Sequence, residues 1–86
     1  MYLELGQNTV ITDENILGIF DMDNTTVMKS TREYINTAAK NGECIYVSLE
    51  ELPKSFIVTT KNNEKKVYIS PLNTSTIFKR IKWKVN

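Results

Sequence analysis

Phe56-Ile57-Val58-Thr59-Thr60-Lys61-Asn62-Asn63-Glu64-Lys65-Lys66-Val67-Tyr68-Ile69 is the stretch that decides the fold. Two runs of β-branched and aromatic residues flank Lys61-Asn62-Asn63-Glu64, a polar segment with turn residues at its centre, so the stretch reads as a β-hairpin. Two strands alone are marginal in water, so other apolar segments must cover them. Cys44-Ile45-Tyr46-Val47 reads as a further strand, joined to the hairpin by a polar connection from Ser48 to Lys54 that Pro53 interrupts. Ile16-Leu17-Gly18-Ile19-Phe20 is a continuous apolar run, expected to be a strand buried on both faces, with Gly18 admitting a close neighbour.

Working outward, Tyr2-Leu3-Glu4-Leu5 alternates, Gly6-Gln7-Asn8 is turn chemistry and Thr9-Val10-Ile11 is β-branched, which predicts an amino-terminal hairpin. Thr12 to Asn15 is a polar break suited to one helical turn. Ser30-Thr31-Arg32-Glu33 has the capping-box pattern, followed by Thr31, Tyr34, Ile35, Ala38 and Ala39 at helical spacing, with Lys40 in the last turn and Asn41-Gly42 as the left-handed stop. This is the main helix, with a narrow stripe that suits close packing on a sheet. Pro71 ends the hairpin, and Asn73 to Thr76 is a helix start ahead of Ile77 and Phe78. Arg80-Ile81-Lys82-Trp83-Lys84-Val85 alternates strictly, which is a strand period. The expected fold class is α+β: one domain over residues 1–86, a small and mainly antiparallel sheet, one main helix and a short carboxy-terminal helix.

At 86 residues the chain is near the lower size limit for closing a core unaided. It holds no His and one Cys, which excludes a Ser-His-Asp or Cys-His nucleophile, a histidine zinc site and an intrachain disulfide, and suits a reducing cytoplasm. Three separated glycines cannot form a phosphate-cradling loop, and no stretch has the makings of a signal peptide or a membrane span. Neither a cofactor nor a metal is expected.

The net charge of +1 conceals an uneven distribution. Residues 1–51 carry nine carboxylates and three cations, whereas residues 52–86 carry eight cations and Glu64 as their lone carboxylate. Such a split points to a polyanion partner or to charge-matched self-association. If residues 80–85 are extended, Arg80, Lys82 and Lys84 form a stripe able to track a phosphate backbone, which Lys79 extends, while Lys54, Lys61, Lys65 and Lys66 lie on the turns of the adjoining hairpin. Lysines that merely guard a sheet edge are the plainer reading. Trp83 and Tyr68 are either stacking platforms for bases or core residues. Cys44 reads as a small core residue.

Ile19-Phe20-Asp21-Met22-Asp23-Asn24-Thr25 resembles the nucleophile motif of the haloacid dehalogenase-like phosphatases, an apolar strand ending in Asp-x-Asp-x-Thr. That chemistry needs a multi-strand parallel sheet about twice this length, so Asp21, Asp23 and Asn24 are expected to serve as turn and cap residues instead.

Four strings taken together, Met1 to Gly6, Gly18 to Asp23, Pro53-Lys54-Ser55-Phe56-Ile57-Val58-Thr59 and Tyr68-Ile69-Ser70-Pro71-Leu72-Asn73-Thr74-Ser75-Thr76, resemble the RemB family of the RemA-like bacterial extracellular-matrix regulators. The resemblance covers nearly the whole chain. It implies a small α+β domain similar to the LytTR DNA-binding fold, assembled into a ring-like homo-oligomer, with double-stranded DNA bound in the RemA branch to activate matrix genes. The RemA branch places arginines in the turn where this chain has Glu50, Glu51 and Leu52. Two carboxylates repel phosphate, so DNA contacts here would fall to Lys54, Lys79, Arg80, Lys82 and Lys84, a choice made on charge and not on the family. The expected function is thus a cytoplasmic, non-enzymatic, ring-forming matrix regulator with possible DNA binding. The alternative is a self-assembly or adaptor module in which acidic and basic halves of neighbouring subunits meet.

Overall fold

The computed structural model describes residues 2–6, 9–22 and 28–85, with side chains described at 2–6, 9–22 and 32–81. Strands β1 (Tyr2–Gly6) and β2 (Thr9–Thr12) pair antiparallel as a separate hairpin. A single 3-10 turn (Asp13–Asn15) leads to β3 (Ile16–Asp21), followed by helix α1 (Met28–Lys40), β4 (Cys44–Tyr46), β5 (Ser55–Lys61), β6 (Glu64–Ser70) and helix α2 (Thr74–Val85). The second sheet has the order β3-β5-β6-β4, antiparallel except where β4 runs parallel to β6. The α+β class and the mainly antiparallel pairing follow the sequence reading.

The β5–β6 hairpin is the centre of this sheet. Asn62 and Asn63 both have positive φ, 53° and 67°, and join Lys61 to its cross-strand partner Glu64 as a tight two-residue loop. Two successive left-handed residues match the right-handed twist of the strands, and asparagine tolerates that conformation better than other side-chain-bearing residues. Strand β5 alternates between two cores. Phe56 and Val58 meet Ile35 and Ala38 of α1 together with Val67 and Ile69 of β6. Ile57 faces the other way, into a cluster with Leu3, Leu5, Ile11, Val47 and Ile77 from the β1–β2 hairpin, the segment after β4, and α2. The molecule is therefore layered, with α1 on one face of the sheet and the hairpin plus α2 on the other.

The strand buried on both faces is β5 and not β3, which corrects the expectation for Ile16–Phe20. Among the described residues β3 lies at the sheet edge, with β5 as its one partner strand, and Leu17 is 63% exposed. A continuous apolar run does not distinguish a central strand from an edge strand whose outward side chains await a partner. The close neighbour expected at Gly18 is present: a Cβ there would lie 2.6 Å from the ring of Phe20, which itself stacks on Phe56 at 4.9 Å.

Helix α1 stops as its sequence requires. Gly42 adopts φ 71°, its amide donates to the Ala39 carbonyl (3.1 Å), and the Glu43 amide reaches back to Ala38 (2.8 Å), the two hydrogen bonds of a Schellman motif. Its start differs from expectation: the helix opens at Met28, so Ser30 is already helical and is not its cap. At α2, Asn73 Oδ1 accepts from the Thr76 amide (2.9 Å) and the Ser75 hydroxyl (2.8 Å), the cap expected from sequence. The helix then continues to Val85, so Arg80 to Val85 are helical and not the alternating strand that their period suggested. Ile77, fully buried, and Ile81, partly buried against the same cluster, lie four residues apart, and a helix needs no partner strand to satisfy its backbone.

Two fully buried serines fasten the layers. Ser55 and Ser70 are cross-strand partners. The Ser55 hydroxyl donates to the Leu72 carbonyl (2.8 Å), while the Ser70 hydroxyl donates to the Leu5 carbonyl (2.8 Å) and accepts from the Leu72 amide (3.1 Å). Ser70→Ala would leave two backbone groups without their partner, so a loss of about 1–3 kcal/mol is expected in urea unfolding. A shift below about 0.5 kcal/mol would show that water replaces the hydroxyl.

Candidate nucleic-acid and subunit interface

Three groups of charge and exposed apolar surface mark the described chain. The first contains the cations selected for DNA. Lys54 is exposed, and its backbone is held at both ends: its amide donates to Ser70 (2.9 Å) and its carbonyl accepts from the Met22 amide (3.0 Å). Lys79 is exposed on α2. Arg80 is committed within the subunit, where Nη1 donates to the Glu4 carbonyl at 2.8 Å and lies 3.6 Å from Glu4 Oε1. It ties α2 to β1. Lys82 and Lys84 are on the last turns of the helix, with side chains outside the described residues. Helical backbone spreads positions 79, 80, 82 and 84 around the axis, so the single basic stripe drawn from a period of two is not formed.

The second group is at the tip of the β5–β6 hairpin. Lys61 and Lys66, with Glu64, Thr59 and Tyr68, share one wall of a cleft of about 310 Å³, and Val10, Ile11 and Thr12 of β2 form part of the other. Thr59 is buried and its hydroxyl donates to the Lys66 carbonyl (3.3 Å), which fixes the floor. Sequence reading noted these lysines only as turn residues, because the facing wall belongs to a strand some fifty positions away.

The third group is the connection between β4 and β5. Ser48 Oγ accepts from the amides of Glu50 (3.3 Å) and Glu51 (3.2 Å), a hydroxyl-capped turn that holds both carboxylate residues at the surface. Leu49 and Leu52, on either side of them, are 90% and 82% exposed. Within the described residues, no ion pair takes Glu50, Glu51, Lys61, Lys65 or Lys66. The leucines were not singled out in the sequence, although two large apolar residues flanking Glu-Glu beside a proline, outside any periodic element, are a visible signal.

Cys44 behaves as a core residue. It packs against the α1-side cluster, its thiol donates to the Ile35 carbonyl (3.6 Å), and burial, aided by Glu43, pushes its pKa up. Asp21 ends the antiparallel edge strand β3 opposite Ser55, unlike the parallel strand that precedes a phosphatase nucleophile, while Asp23 lies outside the described residues. No helix among the described residues is long and apolar enough to cross a membrane.

Layered α+β packing and a polar seam built from the Pro-Lys-Ser and Ser-Pro-Leu strings define a small two-core α+β domain with charged and apolar side chains exposed on its surface. The RemA-like family, described as extracellular matrix regulatory protein A-like, matches residues 2–81, and the chain belongs to it. It is also 34% identical over 80 residues to extracellular matrix regulatory protein B of Bacillus subtilis (strain 168), covering 93% of this chain and 89% of that protein.

The Arg80 contact makes a testable distinction. Because both side chains are well exposed, the ion pair itself is worth little, whereas the hydrogen bond to the Glu4 carbonyl persists in salt. Arg80→Ala is expected to lower stability by about 1 kcal/mol in urea unfolding, and Glu4→Gln by less than about 0.5 kcal/mol. Equal losses would assign the anchor to the carboxylate.

Proposed function

We propose that this protein is a cytoplasmic, non-enzymatic regulator of bacterial extracellular matrix production that assembles head to tail into a ring and binds double-stranded DNA. Family membership supports the regulatory role. The observation that carries assembly is the exposure of Leu49 and Leu52 on a turn fixed by Ser48. Leaving two leucines in water forgoes roughly 3–6 kcal/mol of burial, comparable to the lower end of what association costs. Leu17 is exposed on β3, at the opposite edge of the sheet from β4. Unlike surfaces on different sides of a subunit favour a heterologous contact, which closes into a ring when the rotation permits.

DNA binding rests on charge. Lys54, Lys79, Lys82 and Lys84 are the cations proposed to meet phosphates, while Arg80 holds α2 in place. Lysines supply point charges and little base discrimination, so binding would be weakly sequence-selective and strongly salt-dependent. A second reading, assembly without DNA, is favoured by Glu50 and Glu51 at the turn and by the engagement of Arg80 with Glu4.

Fluorescence anisotropy with duplex DNA across a salt series separates the two. Neutralising about four phosphates per subunit predicts a slope of roughly −3.6 in log K against log salt. No binding at low ionic strength, or a flat slope, overturns the DNA reading in favour of the second. Light scattering on the same samples is expected to give the mass of several subunits, and a single-subunit mass would overturn assembly.

A further inference from the structure

We infer that the turn carrying Leu49, Glu50, Glu51 and Leu52 of one subunit docks in the cleft between β2 and the tip of the β5–β6 hairpin of the next copy. This rests on the assembly proposed above and assigns its contact. The two surfaces are complementary in chemistry. The turn offers two carboxylates between two exposed leucines. The cleft offers Lys61 and Lys66 beside the apolar surface of exposed Val10 and half-buried Tyr68. Glu64 also lines the cleft, directly across from Lys61, so the wall carries one net positive charge, and Lys65 stands at the next position on the opposite face of the hairpin.

The placement suits repeated association. The turn enters β5 at Ser55, whereas the cleft lies at the Lys61–Glu64 end, about 20 Å away along the strand. A surface at one end of the hairpin that fits a surface at the other joins copies head to tail and leaves neither satisfied within one subunit. Neither group has an ion-pair partner of its own among the described residues. The leucines supply burial and the charges set the register, because like charges facing one another would oppose the wrong docking.

Charge reversal tests the contact. Glu50→Lys with Glu51→Lys, and separately Lys61→Glu with Lys66→Glu, are expected to raise the concentration needed for half-assembly by at least roughly tenfold. Circular dichroism should remain unchanged, because all four positions are exposed. Mixing the two variants equally should restore assembly, since each reversed turn then meets a reversed cleft and each native turn a native cleft. Rescue of that kind is not available to a misfolded chain. Multi-subunit wild-type protein whose variants keep their mass, or whose mixture is not restored, overturns this contact and leaves assembly standing. Monomeric wild-type protein overturns both.

Discussion

Opposed on adjacent central strands, Ser55 and Ser70 are the constraint on which the rest of the structure depends. Both are wholly buried, where an unmatched hydroxyl would be costly, and their partners are backbone groups of Leu5 and Leu72. A hydrogen bond to backbone fixes a segment and not merely a side chain. The pair therefore sets where β1 lies across the sheet and how the chain turns through Pro71 and Leu72 into α2. Lys54 enters the same seam through its amide, which donates to Ser70. Gly6, with φ 111°, ends β1 against Val47 and Pro71, a backbone conformation that side chains rarely adopt.

That seam explains why the strings resembling the matrix regulators are spread so widely along the chain. Pro53-Lys54-Ser55, Ser70-Pro71-Leu72 and the amino-terminal Leu-Glu-Leu-Gly converge on one point, so in this chain three of the four strings build one folding device. Surface residues are held less tightly by it. The Ser48 hydroxyl holds the turn through backbone amides, so the side chains at Glu50 and Glu51 can change without disturbing the scaffold, and what the turn recognises is free to differ.

Most local patterns were legible where one element sets its own conformation, the exception being the Ser30–Glu33 capping box, since α1 opens earlier, at Met28. The Asn62-Asn63 turn, the Gly42 stop, the Asn73 cap and the single turn at Asp13–Asn15 all follow from residues within a few positions of one another. Two readings failed where the answer lies elsewhere in the chain. The apolar run of β3 reports that apolar neighbours exist, but only the pairing order reveals that it stands at an edge. Arg80 to Val85 alternate as a strand would, yet Asn73 upstream starts a helix and Ile77 with Ile81 finds the core, so tertiary burial outweighs the local period. For the site, the cations were visible by composition. The partnership of Arg80 with Glu4 was not, because 76 positions separate them.

The same separation governs how the protein is made. Leu3 and Leu5 leave the ribosome more than 70 positions ahead of Ile77, which shares their cluster, and Ser70 bonds to Leu5 across 65 positions. Contacts so distant in sequence form late and slowly, since loop closure must precede their reward. At usual synthesis rates the amino-terminal hairpin waits several seconds with its apolar face uncovered. The core on that face thus closes only once α2 has been made, and a nascent chain truncated before α2 leaves that face open to chaperones or proteases.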